Sequence, residues 1–242
     1  MLPYTYLSNP KIQSSSFEND SNTIALFDFR KNQSYTTDLC GNTWTPISNS
    51  TDPIANTKFS KDGFSVLSGG AFYIDNSNIV NLVSNNTYTV EVFAKLDKVP
   101  LPIGCYGSFS FTDRNDGKFF EFGVEGNLKK TWFDYTSATR GTYGTIDTTN
   151  KDTVFHHLAI TVNNKVVNMF FNGQKDTTTV TINNLAMFRL FAFNWSYGKV
   201  TPADQNYMHT AIATYASIRI SNIVRYTQDF QNRVDLVNLR II

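Results

Sequence analysis

The sequence predicts an all-β fold, an antiparallel two-sheet jelly-roll sandwich, on three observations. Short apolar-alternating runs recur along most of the chain. Turn signals separate them: Asp113 to Gly117, Gly126-Asn127 and Asn172-Gly173. No stretch has the period of an amphipathic helix, while aromatic residues make up 14% of the chain and Asn, Thr and Ser abound. At 242 residues and 41% apolar, the chain can bury one large core.

The elements follow in order. Residues 1–23 read as an N-terminal arm without period, with Tyr4, Tyr6 and Leu7 able to dock on something. The domain proper is 24–242, and Ile24 to Phe29 is its first strand. Residues 31–62 are polar and turn-rich. Gly63 to Leu67 and Ala71 to Ile74 are short strands. Thr87 to Ala94 alternates cleanly, with Tyr88, Val90, Val92 and Ala94 on one face and Thr89, Glu91 and Phe93 on the other. Cys105 to Phe111 and Lys118 to Val124 flank the turn at 113–117, and Leu128 to Tyr135 follows Gly126-Asn127. A Thr- and Gly-rich loop spans 136–152. Strands at 154–162 and 165–172 meet at Asn163-Asn164, and Asn172-Gly173 makes a second tight turn. Strands at 177–182, 186–193 and 211–220 complete the pattern, and the apolar end, 234–242, needs burial against its own sandwich or in an oligomer.

Charge is nearly balanced at +1 with only 17% charged residues, which argues against a nucleic-acid partner because such proteins cluster Lys and Arg. No run is long enough for membrane insertion as a helix. The start of the chain lacks the basic and apolar regions of a signal peptide. Cys40 and Cys105 form no metal spacing; the choice between a disulfide and two buried thiols stays open. Five Asn-x-Ser/Thr sequons, at Asn19, Asn32, Asn49, Asn85 and Asn194, carry little weight in so Asn-rich a chain.

His156 and His157 sit in an alternating run, so they point to opposite faces and cannot hold one ion together. The expected arrangement is one histidine packed at a strand edge and the other exposed.

At this point several segments resemble one family. Phe155 to Asp176 (FHHLAITVNNKVVNMFFNGQKD) resembles the Trp-His-His strand and Val-Asn-Gly turn of laminin-G-like domains, within the concanavalin A-like lectin/glucanase superfamily. Phe155 replaces the usual Trp. NTYTVEVFAKL at 86–96 resembles the family's FTIE strand, and YASIRISNIVRYTQDF at 215–230 its late strand and tail. The tail form with Arg225-Tyr226 and Phe230 is the one associated with bacteriophage structural proteins. The likeness runs over about 24–230 and implies a jelly roll that binds sugars or proteins.

Four kinds of site follow. Some relatives are glucanases with E-x-D-x-E on a strand; here Glu121 and Glu125 keep the outer spacing but Gly123 replaces the middle acid, so catalysis is not expected. No cofactor is required, though the resemblance allows Ca2+ in loops, with Asp113 and Asp116 the tentative ligands and Asp147 and Asp152 further candidates. For sugar, Trp195, Tyr197 and Asn194 lie in a turn-rich loop, and Trp132 and Tyr135 lie on a strand. The arm suggests attachment to a neighbour. Together with the absent signal peptide, the resemblance implies a non-enzymatic virion protein: a capsid decoration, fibre or tail component. It would bind host cell-surface polysaccharide, other virion proteins or itself as an oligomer. The alternatives are a carbohydrate-binding module of a cellular surface protein and a glycoside hydrolase.

Overall fold

In a computed structural model of the chain, the residues described are 17–48, 57–66, 70–74, 87–98, 110–115, 118–125, 130–135, 142–147, 154–181, 190–193 and 212–230. They contain fifteen strands and no helix. The strands are β1 (Thr23–Asp28), β2 (Thr45–Ser48), β3 (Thr57–Ser60), β4 (Gly63–Val66), β5 (Gly70–Ile74), β6 (Thr87–Lys98), β7 (Ser110–Asn115) and β8 (Lys118–Glu125). They continue with β9 (Lys130–Tyr135), β10 (Thr142–Asp147), β11 (His156–Asn163), β12 (Val166–Phe171), β13 (Gln174–Thr181), β14 (Leu190–Phe193) and β15 (Ile212–Ser221).

Two antiparallel sheets form, as the sequence predicts. One has eight strands in the order β13-β12-β11-β6-β15-β4-β3, with β1 also on β15. Strand β4 takes Ala213 to Tyr215 of β15, and β1 takes Ser217 to Ser221. The other sheet has seven strands, β10-β9-β8-β7-β14-β5-β2.

The structure adds strands where the sequence reads as polar loop. Strands β2 and β3 fall within 31–62, and β10 within 136–152. All three are terminal strands of their sheets. An edge strand pairs through its backbone on one side only and carries little apolar signal. The turn after β11 is also one residue later than expected. Asn163 still pairs with Val166, and the positive φ values fall on Asn164 (47°) and Lys165 (72°). Asn172 (51°) and Gly173 (81°) form the second turn as predicted.

The inner face of the eight-stranded sheet is the core, where Val90, Leu158, Ile160, Met169, Tyr215 and Ile218 are all at most 1% exposed. Ile146 of β10 joins this cluster from the other sheet. Trp44 closes it beside Phe27, ring centroids 5.1 Å apart, with its indole N–H donated to Asp38 at 3.0 Å. Gly63, at φ +132°, is needed where β4 crosses β15: a Cβ there would overlap the Tyr215 carbonyl.

The outer face of the eight-stranded sheet is covered too. Phe17, at the end of the arm, stacks on Phe93 at 4.7 Å and joins Leu26, Phe155 and Ala216 in a second buried cluster. Residues 222–230 run back across the same face. Thr89 donates its hydroxyl to the Ile223 carbonyl at 2.7 Å, and the Phe230 amide donates to Gly173 at 2.9 Å. Tyr4, Tyr6, Leu7 and the end at 234–242 lie outside the described residues.

Candidate functional site

The His pair points to opposite faces, as alternation requires. Both rings, however, are only 3% exposed, so the expectation of one exposed histidine is corrected. The reason is the second layer: the outward face of β11 lies beneath Phe17 and residues 222–230. His156 stacks on Phe171 at 5.0 Å, and its Nδ1 meets the Asn172 side-chain amide at 2.9 Å. Asn172 also accepts the His157 amide on its side-chain oxygen (3.0 Å) and donates its own amide to the His157 carbonyl (2.8 Å). The Asn-Gly turn and the His pair are therefore one local unit: the left-handed Asn locks the strand beside it.

On the outward face, His157 belongs to a buried charge cluster centred on Glu91, which is fully buried. Arg219 reaches Glu91 Oε2 through Nε at 2.7 Å and Nη2 at 2.6 Å. Tyr226 donates its hydroxyl to Oε1 at 2.5 Å. His157 Nε2 lies 3.3 Å from Oε1, without hydrogen-bond alignment. Arg225 Nε stands 3.8 Å from Oε2 and grips Asp20 with both terminal nitrogens at 2.8 and 3.0 Å. Burial would raise the Glu91 pKa; contact with His157, the Arg219 charge and the Tyr226 hydroxyl overcome it and hold the carboxyl ionised. A carboxylate beside a histidine can do acid–base chemistry, but here Phe17, Phe93, Tyr226 and Phe230 pack around the ring. The cluster clasps residues 17–22 to 222–230; it is not an open site.

A second buried carboxylate joins the two sheets. Asp176 of β13 accepts the Thr131 hydroxyl (2.8 Å), the Thr145 amide (2.9 Å), the Thr145 hydroxyl (3.0 Å) and the Thr178 amide (2.8 Å). Burial opposes its ionisation, and these donors lower its pKa nonetheless. Gly144 sits against it; a Cβ would overlap Thr131 Oγ1 and Asp176 Oδ2. Every donor on this carboxylate is a hydroxyl or an amide.

The sugar candidates divide. Trp195, Tyr197 and Asn194 lie outside the described residues, as does Asp116. Trp132 and Tyr135 are both on β9. Register separates them: Trp132 pairs with Gly123 and Tyr143, whereas Tyr135 pairs with Phe120. Thr131, the residue before Trp132, is fully buried on Asp176. In the ladder Asp134 pairs with Glu121, which pairs with Thr112. Asp113 lies in β7, not in a loop, paired with Phe120. Asp147 pairs with Lys130, and Asp152 lies outside the described residues. Among the described residues no three His, Cys, Asp or Glu side chains gather as metal ligands. Cys40 is a free, exposed thiol, which removes the buried reading for it; Cys105 lies outside the described residues. Partial burial beside Asp38 pushes that thiol up to about 11.

The sequence signals for the clasp were in the motifs: Glu91, His157, Arg219 and Arg225-Tyr226 are the residues that carry the family likeness. The Asp176 stitch has no such signal, because its partners are common threonines and backbone amides.

Known proteins agree with this architecture. A family model described as the concanavalin A-like lectin/glucanases superfamily (Laminin_G_3) matches residues 68–214. Among solved structures, domain 4 of AbnA, a GH43 extracellular arabinanase from Geobacillus stearothermophilus solved with arabinotriose, aligns with TM-score 0.57 at 16% identity. The match covers 90% of this chain and 98% of that one. The Bacillus licheniformis β-glucanase aligns with TM-score 0.53 at 14% identity, over 84% of this chain and 99% of that one. A Trypanosoma rangeli sialidase mutant with trans-sialidase activity aligns with TM-score 0.58 at 13% identity, over 85% of this chain but 31% of the sialidase. No curated protein matches the sequence with significance.

Proposed function

This chain belongs to the Laminin_G_3 family of the concanavalin A-like lectin/glucanase superfamily, and we propose that it is a non-catalytic carbohydrate-binding module. The observation that carries the reading is its alignment over nearly the whole of domain 4 of an arabinanase, solved in complex with arabinotriose. The stretch of the seven-stranded sheet formed by β7 to β10 suits the role. Trp132 and Tyr143 occupy adjacent strand positions there, beside Thr112, Glu121 and Asp134. Aromatic faces stack on the apolar side of a sugar, and short polar side chains take its hydroxyls. Trp195 and Tyr197, which follow β14 in the sequence, are the second group of proposed contacts. Gly123 between Glu121 and Glu125 is the reason to place the protein among binders and not glucanases. A calcium ion is not needed for this reading.

A virion attachment role is a narrower form of it. It rests on the Arg225-Tyr226 tail and would place the glycan on a host surface.

The test is a glycan array with the purified chain, with calcium and with chelator, beside a reducing-sugar assay on arabinan and β-glucan. Specific glycan binding without sugar release is expected. Sugar release that disappears in Glu121→Gln would instead make the protein a hydrolase.

A further inference from the structure

Strand β10 departs from a regular ladder at one place. Thr142 pairs with Phe133 and Tyr143 with Trp132, but the next pair is Asp147 with Lys130. Residues 144–146 therefore stand opposite Thr131 alone, a bulge of more than one extra residue. A bulge takes backbone groups out of the ladder, and buried ones must find another partner. Here the partner comes from the other sheet. The Asp176 carboxylate of β13 accepts the Thr145 amide at 2.9 Å and the Ile146 amide at 3.3 Å. It also accepts the Thr145 hydroxyl at 3.0 Å and, from across the bulge, the Thr131 hydroxyl at 2.8 Å. One side chain thus gathers both sides of the irregularity.

The chemistry of the spot calls for a carboxylate. An ionised carboxylate only accepts, at about four lone-pair sites, and every group aimed at Asp176 is a donor. An amide there would turn one oxygen into a donor facing other donors. Gly144 completes the fit, because a Cβ would overlap Thr131 Oγ1 and Asp176 Oδ2. The bulge also decides which residue meets Trp132. Counted back from Asp147–Lys130, a regular ladder would put Thr145 opposite Trp132. The bulge puts Tyr143 there instead.

We propose that Asp176 is a positioning residue of the carbohydrate site: by holding the bulge at 144–146 it sets Tyr143 in register with Trp132. At 1% exposure it does not touch the ligand itself. The inference rests on the binding-module reading, which names Trp132 and Tyr143 as the stacking pair. Bulges at sheet edges re-aim the residues beside them, and β10 is the terminal strand of its sheet. A binding pair on an edge strand needs such support from behind to keep its geometry.

The experiment joins two readouts on the intact chain: amide hydrogen exchange at 142–147, which needs no ligand, and calorimetric titration with arabinotriose. Asp176→Asn is the direct variant. Thr131→Val, nearly isosteric, removes one donor and is the milder form; Thr131→Ser keeps the hydroxyl. Asp38→Asn is the control. It alters another buried carboxylate, one that accepts the Trp44 indole and the Cys40 and Asn42 amides and touches neither β9 nor β10. Faster exchange at 145 and 146 is expected in Asp176→Asn, with arabinotriose bound about tenfold more weakly. Thr131→Val should show a smaller loss of the same kind, whereas Thr131→Ser and Asp38→Asn bind as the wild type does. Unchanged exchange at 145 and 146 overturns the proposal, as does equal weakening by Asp38→Asn. Full binding by Asp176→Asn and Thr131→Val overturns it while leaving the binding-module reading in place. A wild type that binds no arabinotriose overturns both.

Discussion

Two buried carboxylates in this molecule are satisfied by opposite means. Glu91 is held by charge, from Arg219 and Arg225, with the Tyr226 hydroxyl and the His157 ring beside it. Asp176 is held by threonine hydroxyls and backbone amides alone. The first fastens the two ends of the described chain to the outside of one sheet; the second joins the edge strands β13 and β10 of different sheets. Charge is used where long side chains must reach across a face. Dipoles are used where strands already lie side by side and donors come from the ladder itself.

The largest difference should appear on removing Glu91. Glu91→Leu leaves Arg219 and Arg225 close together without their shared anion, a loss of about 3–5 kcal/mol in denaturant unfolding. Gly144→Ala tests the other carboxylate. The added methyl enters the Thr131–Asp176 contact and should cost about 1–3 kcal/mol by overpacking, with the clasp intact. If both variants cost the same, the contrast between charge and dipole fails. Asp20→Asn is the smaller change. Its side chain is 40% exposed, so the bidentate pair with Arg225 should contribute less than about 1 kcal/mol. High salt should shrink that figure further.

Acid gives the finest comparison. The Arg225 pair holds the Asp20 carboxyl well below its usual range, and Glu91 and Asp176 are also lowered. Carboxyls of the unfolded chain titrate near about 4. Below that pH the unfolded chain takes up protons that the folded chain refuses, so stability falls as pH drops. Above it, these groups contribute their full stability. Unfolding midpoints measured from pH 6 to pH 2 should decline below about pH 4, and less steeply in Glu91→Leu.

What the sequence disclosed follows the same division. Central strands announce themselves through alternation, and β6, β11 and β15 were legible because their inner faces are continuous apolar rows. Strands β2, β3 and β10 were not, since a sheet edge needs only backbone pairing. The residues of the clasp were visible as motif letters, yet their meeting place was not. Alternation put the two histidines on opposite faces but could not show that residues 17–22 and 222–230 cover the outer one. Trp132 and Tyr135 looked like a pair by proximity, and a three-residue separation on a strand divides them.

The most direct test of the functional reading uses the chain's three tryptophans. Trp44 is 1% exposed in the core and should be silent to ligand. Titration with arabino-oligosaccharides, followed by tryptophan emission, is predicted to give a saturable change in the wild type and in Trp44→Phe. The change should disappear in Trp132→Phe/Trp195→Phe. A signal that persists in that double variant, or no saturable response to any oligosaccharide in the wild type, would contradict the account.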